Sequence, residues 1–427
     1  MKMTIKNRAI TLVVLLVVMT GMAKAQLKPA DSTLVYVAGE GTYVTLGKTD
    51  GAKFNLLSTV QAGAQYNRLD STNGITNSSR LSLNLVRVAF SGTAFKDQVS
   101  FKVVTDFTGV TPILEGWVGF NFWHKSSHLV LGQKQTNTNN RLAMEDERYA
   151  QVMGQSLAGK SNDGTVYGGL MQNFVGATRE GGLFFDTKFS LGQVKLYPSV
   201  SITTGEGQNF FASQPNLGFK YGGRLDVLPL GDFIKNNAFI AHDIYYEKKP
   251  RLAVGFAASY NARASSPIGS DNALVTGIYN QGGTQDYANY RKVVTDLIFK
   301  YQGFSFIGEY IRGTIYGKNL YTDAAATNKL TPQTASTMYN LGNAFNLQSS
   351  YVFKSMWAID GRYTKVTPEF AVTGSLVHNQ NWYTLGINRY LKYNAVRIGL
   401  NTTYIEDKSP TVTTKKWIAN LALQIQL

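Results

Sequence analysis

Four histidines, His124, His128, His242 and His378, are the residues of this 427-residue sequence best suited to proton transfer or metal binding, and there is no cysteine to join them. Their spacings match no zinc pattern, so metal and thiol chemistry find no support. A serine hydrolase on a membrane-barrel wall would need a histidine in an apolar strand register, and these four read as turn or loop residues. The glycine pairs Gly168-Gly169, Gly181-Gly182 and Gly222-Gly223 lack the strand-to-helix context of a phosphate loop and suit strand curvature instead. We therefore expect no catalysis, no metal and no cofactor.

The chemistry that remains is charge. Arg87, Lys102, Lys188, Lys195, Lys220, Arg224, Lys300, Arg362 and Arg397 fall in the polar register of alternating segments, with Asp106, Glu115, Asp186, Asp226, Asp296, Glu309 and Asp360. Bases lead modestly. A ring of positive side chains around water lowers the entry cost for anions, acting over roughly 8 to 10 Å at physiological salt. The same residues have a plainer use, pairing across neighbouring strands.

Period-two segments of about ten residues must position these charges. They recur from Phe54 to the end. Leu56, Val60, Ala62, Ala64 and Tyr66 oppose Asn55, Thr59, Gln61, Gly63 and Gln65; Val396, Ile398, Leu400, Thr402 and Tyr404 repeat the pattern. In the closing stretch WIANLALQIQL, Trp417, Ala419, Leu421, Leu423, Ile425 and Leu427 share one face, and Gln424 and Gln426 the other. Charge is nearly absent from the apolar register, as it must be on a wall that faces lipid.

Ahead of these segments, Met1 to Arg8 is basic, Ile10 to Met22 is largely apolar, and Ala23-Lys24-Ala25 has the form of a cleavage site. We expect residues 1–25 to be a signal peptide, 26–53 a periplasmic lead-in and 54–427 a membrane barrel. The net charge of +15, on an exported chain, favours acidic lipid headgroups or anionic solutes over nucleic acid. Without disulfides, stability has to come from one large cooperative structure.

Short connections (Thr93–Lys96, His124–Ser127, Leu191–Gly192, Gln302–Gly303, Lys354–Met356, Leu391–Asn394) alternate with long ones rich in Gly, Asn, Ser and Thr. The long ones are Leu69–Ser78, Gln135–Thr178, Gly205–Asn216, Ala262–Asn289, Thr314–Met338, Thr367–Gln380 and Glu406–Lys415. Short turns on the periplasmic side and long loops outside give an all-β, transmembrane antiparallel barrel of about 16 strands. Ala238–Tyr246 looks like an extra strand. An even strand count makes Pro229–Pro250 one long periplasmic connection instead.

RLSLNLVRVAFSG (80–92), LEGWVGFNF (114–122), LVLGQKQTNTNNR (129–141), YGGRLDVLPLGDF (221–233), FKYQGFSFIGEY (299–310) and NLQSSYVFKSMWAIDGRYTKVTPE (346–369) together resemble the phosphate-selective porins of types O and P. The resemblance implies a sixteen-stranded homotrimeric outer-membrane barrel whose third outer loop, Gln135–Thr178 here, folds into the lumen. This chain departs from the family where many members read GQFKxPF: it has GQKQTNT at 132–138. Arg141, Arg148 and Lys160 on the loop are nearly balanced by Glu145-Asp146-Glu147, and the last residue, Leu427, is not aromatic.

These features place a constriction at Lys134, Arg141, Arg148 and Lys160, where the pore is narrowest and each charge counts most. Arg148 could equally pin the loop by pairing with Glu145 to Glu147, and Tyr149 or Phe174 could serve as a sugar slide or simply pack the loop. Aromatics at segment ends, Tyr66, Phe107, Phe122, Tyr260, Tyr301, Tyr310, Tyr351, Phe353, Tyr363 and Tyr404, suit two interfacial girdles in outer-membrane lipid. The expected function is passive diffusion of small hydrophilic or anionic solutes, possible phosphate preference included. The alternative is a surface receptor or adhesin that works through its long loops.

Overall fold

Alternation between apolar and polar residues, sustained over about ten residues, leaves a strand with two different solvents to satisfy, and a closed barrel is the shape that supplies both. The computed structural model describes residues 32–46, 51–108, 113–123, 125–144, 174, 179–207, 218–268 and 274–427. A small hairpin comes first, β1 (Ser32–Val37) and β2 (Gly41–Leu46). The barrel follows: β3 (Ala52–Ser71), β4 (Gly74–Ala94), β5 (Val99–Asp106), β6 (Ile113–Phe122), β7 (Ser127–Gln135) and β8 (Arg179–Thr187), which β9 (Phe189–Leu191) continues. Then come β10 (Val194–Thr203), β11 (Lys220–Leu228), β12 (Arg251–Asn261), β13 (Asn289–Tyr301), β14 (Phe304–Tyr316) and β15 (Gly342–Val352). The last four are β16 (Trp357–Pro368), β17 (Asn379–Leu391), β18 (Val396–Lys408) and β19 (Thr413–Gln426).

Counting β8 and β9 as one, sixteen antiparallel strands form the barrel. It closes where β19 pairs with β3, from Gln426 opposite Thr59 to Lys415 opposite Asp70. The closing strand shows the two-faced register plainly: Leu421, Leu423 and Ile425 are 48, 45 and 41% exposed, whereas Gln424 and Gln426 are sealed inside. One ring of aromatics marks a membrane interface on the outer wall. Phe345, Tyr363, Tyr383, Tyr404 and Trp417 touch in succession across β15 to β19, and Tyr310 sits opposite Phe345.

Three expectations need correction. Leu69–Ser78 is not a loop, because β3 and β4 run on to Ser71 and Gly74; the two-residue Thr72-Asn73 turn closes the hairpin, with Gly74 at φ +111° where β4 begins. The first barrel strand also begins before residue 54, at Ala52, and its Ala52 to Leu56 pair with β2, so the described part of the lead-in, 32–46, is a hairpin that adds to the sheet. His128 lies within β7, not in a turn. Residues 1–31, His124 and most of the third loop, including Arg148, Tyr149, Lys160 and Glu145 to Glu147, lie outside the described residues.

The connection from β11 to β12 contains no strand, in agreement with the even count. It does more than connect. A short 3-10 turn at Ile234–Phe239 leads into a segment that packs against the inner wall of the barrel. Ala238 and Ala241 lie against Leu228, Ala253, Ile298 and Ile307, and Ile240 and Ile244 against Val352, Ala358 and Tyr390.

The candidate constriction and the inner wall

Arg141 begins a 3-10 turn (Arg141–Met144) just beyond the end of β7, and only 2% of it is exposed. Its Nη2 donates to Asp226 Oδ1 at 2.5 Å and its Nε to Asp296 Oδ1 at 2.9 Å. Arg224 grips the same carboxylates, reaching Asp226 at 2.7 Å and Asp296 at 2.8 Å. Two guanidiniums and two carboxylates thus form a neutral square that fixes the start of the third loop to β11 and β13. Gly255 on β12 makes the square geometrically possible: a Cβ there would lie 2.0 Å from Arg224 Nη2 and 2.6 Å from Asp296 Oδ1. The missing side chain lets the guanidinium cross β12.

The inserted periplasmic segment meets the third loop at this point. Arg141 Nη1 donates to the Ala238 carbonyl at 3.5 Å, and its guanidinium lies 5.5 Å from the Phe239 ring centre. Lys300 anchors the segment from β13 by donating to Asn237 Oδ1 and the His242 carbonyl, at 2.7 and 2.9 Å. Asp243 accepts from the Gly303 amide, and His242 bridges Asp360 Oδ2 and Tyr390 Oη at 2.8 and 2.6 Å. The sequence marks Ala238–Tyr246 only as strand-like, without its place against the inner wall. Its signal was an apolar run, Ala238, Ile240, Ala241 and Ile244, inside a connection assigned to water.

The other expected residues separate into two groups. Lys220 bonds Glu180 at 2.6 Å, Arg397 bonds Gln424 at 3.1 Å, and Lys220, Arg224, Lys300 and Arg397 are all at most 5% exposed. Arg362 is also buried, on the inward face of β16. By contrast, Arg87 (paired with Asp106 at 3.4 Å), Lys102 (paired with Glu115 at 3.4 Å), Lys188 and Lys195 keep access to solvent. Lys102 borders a cavity of about 590 Å³ with Ser100, Trp117, Lys53 and Asp97. Lys134 points inward between Trp117 and Phe184, 5.9 and 5.4 Å from their ring centres, and does not join Arg141. Lys292, not singled out from sequence, is buried on Asn139 Oδ1 of the third loop at 2.7 Å.

His128 forms the nearest approach to a catalytic constellation. Its Nε2 is 2.8 Å from Ser100 Oγ and its Nδ1 3.7 Å from Asp186 Oδ1, across the space that Gly119 leaves by having no side chain. Ser100, Gly119 and His128 all sit in paired strands, so the local main-chain N–H groups are spent in the sheet and cannot form an oxyanion hole. Outside the membrane, Asp97 on the β4–β5 turn accepts from Lys125, Thr93 and Lys53, and these bonds hold its carboxyl below the ordinary range.

A closed sixteen-stranded barrel with a lipid-compatible outer wall, a charged inner wall and the start of the third loop anchored inside has the fold of an outer-membrane β-barrel. Known structures with this fold include the anion-selective porin from Comamonas acidovorans, at 11% identity over 88% of this chain and 100% of that one, with a TM-score of 0.55. The outer membrane channel DcaP of Acinetobacter baumannii shares 13% identity over 88% and 97%, TM-score 0.53. OprB of Pseudomonas putida shares 10% over 88% and 94%, TM-score 0.51. At these identities the likeness is one of fold. No protein-family model and no curated protein matches the chain.

Proposed function

We propose that this protein is an outer-membrane channel that passes small hydrophilic solutes down their gradients with a mild preference for anions, phosphate among them, and that it assembles as a homotrimer. The observation that carries this reading is the charge balance on the inner wall. Each inward acid among the described strand residues is engaged: Asp106 by Arg87, Glu115 by Lys102 and Arg179, Glu180 by Lys220, and Asp186 by His128. Asp226 and Asp296 are held by Arg141 and Arg224, Glu309 by Asn140 and Asn346, Asp360 by His242 and Asn388, and Asp407 by His378 and Gln380. Lys188 and Lys195, which keep access to solvent, rest instead on the neutral groups Tyr197 and Ser190. A positive surplus remains to act on mobile ions.

The test is single-channel recording in a planar bilayer under a salt gradient, with phosphate then titrated into chloride. An anion-directed reversal potential supports the reading, and saturable block by phosphate supports the narrower solute preference. A cation-directed potential overturns it. A second reading, a receptor or adhesin working through its outer loops, is favoured by the way the third loop and the periplasmic segment meet inside the barrel. A silent, correctly folded barrel would select that reading. Native mass spectrometry of detergent-extracted protein tests the trimer.

A further inference from the structure

Among the charges that the outer wall carries near its ends, one pair of bases on neighbouring strands has no acid beside it. Arg291 on β13 and Arg312 on β14 both point outward, among residues that otherwise suit lipid. Arg291 stands opposite Thr314 and Arg312 opposite Val293, so the two are diagonal neighbours, about 7 to 8 Å apart at their Cα atoms. Among the described residues neither has an ion-pair partner, and no acid faces outward from the strand residues of β12 to β16. Two bases on neighbouring strands of one outward patch, with no acid in that patch to balance them, favour an anion from the surroundings.

Their height on the barrel is fixed by the aromatic ring. Arg312 is one outward step beyond Tyr310, and Lys365, also outward, is one step beyond Tyr363. Interfacial Tyr and Trp lie at the level of lipid headgroups, so these bases stand at the phosphates. Arg291 is also held in place, its guanidinium 4.8 Å from the Tyr316 ring centre and 5.6 Å from that of Tyr260. Below it, Gly223 and Ala258 form the floor of a groove of about 380 Å³ between Tyr221, Tyr260 and Val293. Gly223 and Ala258 face each other across β11 and β12, so the groove is open only because both residues are small.

We propose that Arg291 and Arg312 bind the phosphate of an outer-leaflet lipid, with one acyl chain of that lipid in the Gly223 and Ala258 groove. Guanidiniums suit the task because they bind phosphate through paired N–H groups and lose little hydration. The bases of the opposite flank differ: Lys415 faces Asp70 and Glu406 across the strands and so has acids at hand.

The test is native mass spectrometry of the full chain in mild detergent, with bis-phosphorylated lipid A, the same lipid dephosphorylated, and inorganic phosphate as probes. Wild type is expected to retain the phosphorylated lipid; Arg291→Gln with Arg312→Gln should weaken retention about tenfold, the loss expected for charge-assisted hydrogen bonds. Ala258→Leu, which fills the groove and leaves the charges, should weaken it as well, and Lys408→Gln should not. Equal retention by wild type and the double variant overturns the proposal, as does equal retention of the dephosphorylated lipid. Displacement of the lipid by equimolar inorganic phosphate would overturn it in favour of a soluble-anion site. A fall in subunit number in the double variant with lipid retention unchanged would overturn it in favour of a protein interface.

Discussion

At the residue scale, the inner wall uses most of its charges on one another. Arg141 is the clearest case, since its guanidinium is shared between Asp226 and Asp296 and touches the Ala238 carbonyl. Replacing it with Gln leaves two buried carboxylates to one arginine, a loss on the order of 3 to 5 kcal/mol for a broken buried pair. We expect Arg141→Gln to loosen the third loop, raise single-channel conductance and shift the reversal potential toward cations. Gly255→Ala should give the same phenotype by pushing Arg224 aside, and a variant that conducts like wild type would remove Arg141 from the constriction. Asp97 supports a pH prediction. Its carboxyl is held low by Lys125, Thr93 and Lys53, so its contribution is fully present above the unfolded carboxylate value near 4 and is lost as pH falls toward the lower folded one. Asp97→Asn should therefore cost under about 1 kcal/mol at pH 7, the scale of an exposed pair, and should flatten the stability profile below pH 4. Thermal unfolding at pH 7 and pH 3 measures both.

At the scale of the element, period-two alternation made the strands legible, because a wall between lipid and water imposes opposite chemistry on neighbouring residues. Gln424 and Leu423 are adjacent in sequence and opposite in solvent. Leu423→Arg should cost about 2 to 4 kcal/mol at the bilayer midplane and impair assembly, while Gln424→Arg should be tolerated. Heat-modifiable migration of the folded barrel reads this, and equal tolerance would invert the register. The periplasmic insert was legible only at its ends. Strand parity required that Pro229–Pro250 be a connection, but its course depends on inward residues far away in sequence, Ile298, Ile307, Val352 and Ala358, that it packs against. The Arg141 square was hidden for a similar reason: its members lie on the third loop, β11 and β13, and only strand order brings them together. Joining β11 to β12 by a short turn that omits 232–248 should leave the barrel assembled and raise its conductance. Unchanged conductance would mean that the insert does not limit the pore.

At the scale of the whole molecule, inward charge divides between a filled arc and an accessible one. The insert, the third loop and Phe174 cover the inner faces of β11 to β16, where Arg224 and Lys300 are sealed. Lys102 and Arg87 lie on β5 and β4, and Lys102 borders the periplasmic cavity. A buried charge whose bonds are satisfied acts mainly on the fold, and an accessible one acts on the ions that pass it. Lys102→Gln is therefore expected to leave assembly intact and move the reversal potential toward cations, with Glu115 still held by Arg179. Lys300→Gln should do the opposite. It strips donors from Asn237 and the His242 carbonyl, lowering thermal stability by roughly 1 to 3 kcal/mol, and barely alters selectivity in the channels that do form. Measuring both quantities for both variants separates the two arcs. If Lys300→Gln shifts selectivity as much as Lys102→Gln does, solute passes along the arc that the insert occupies, and the insert is then a gate instead of a filling.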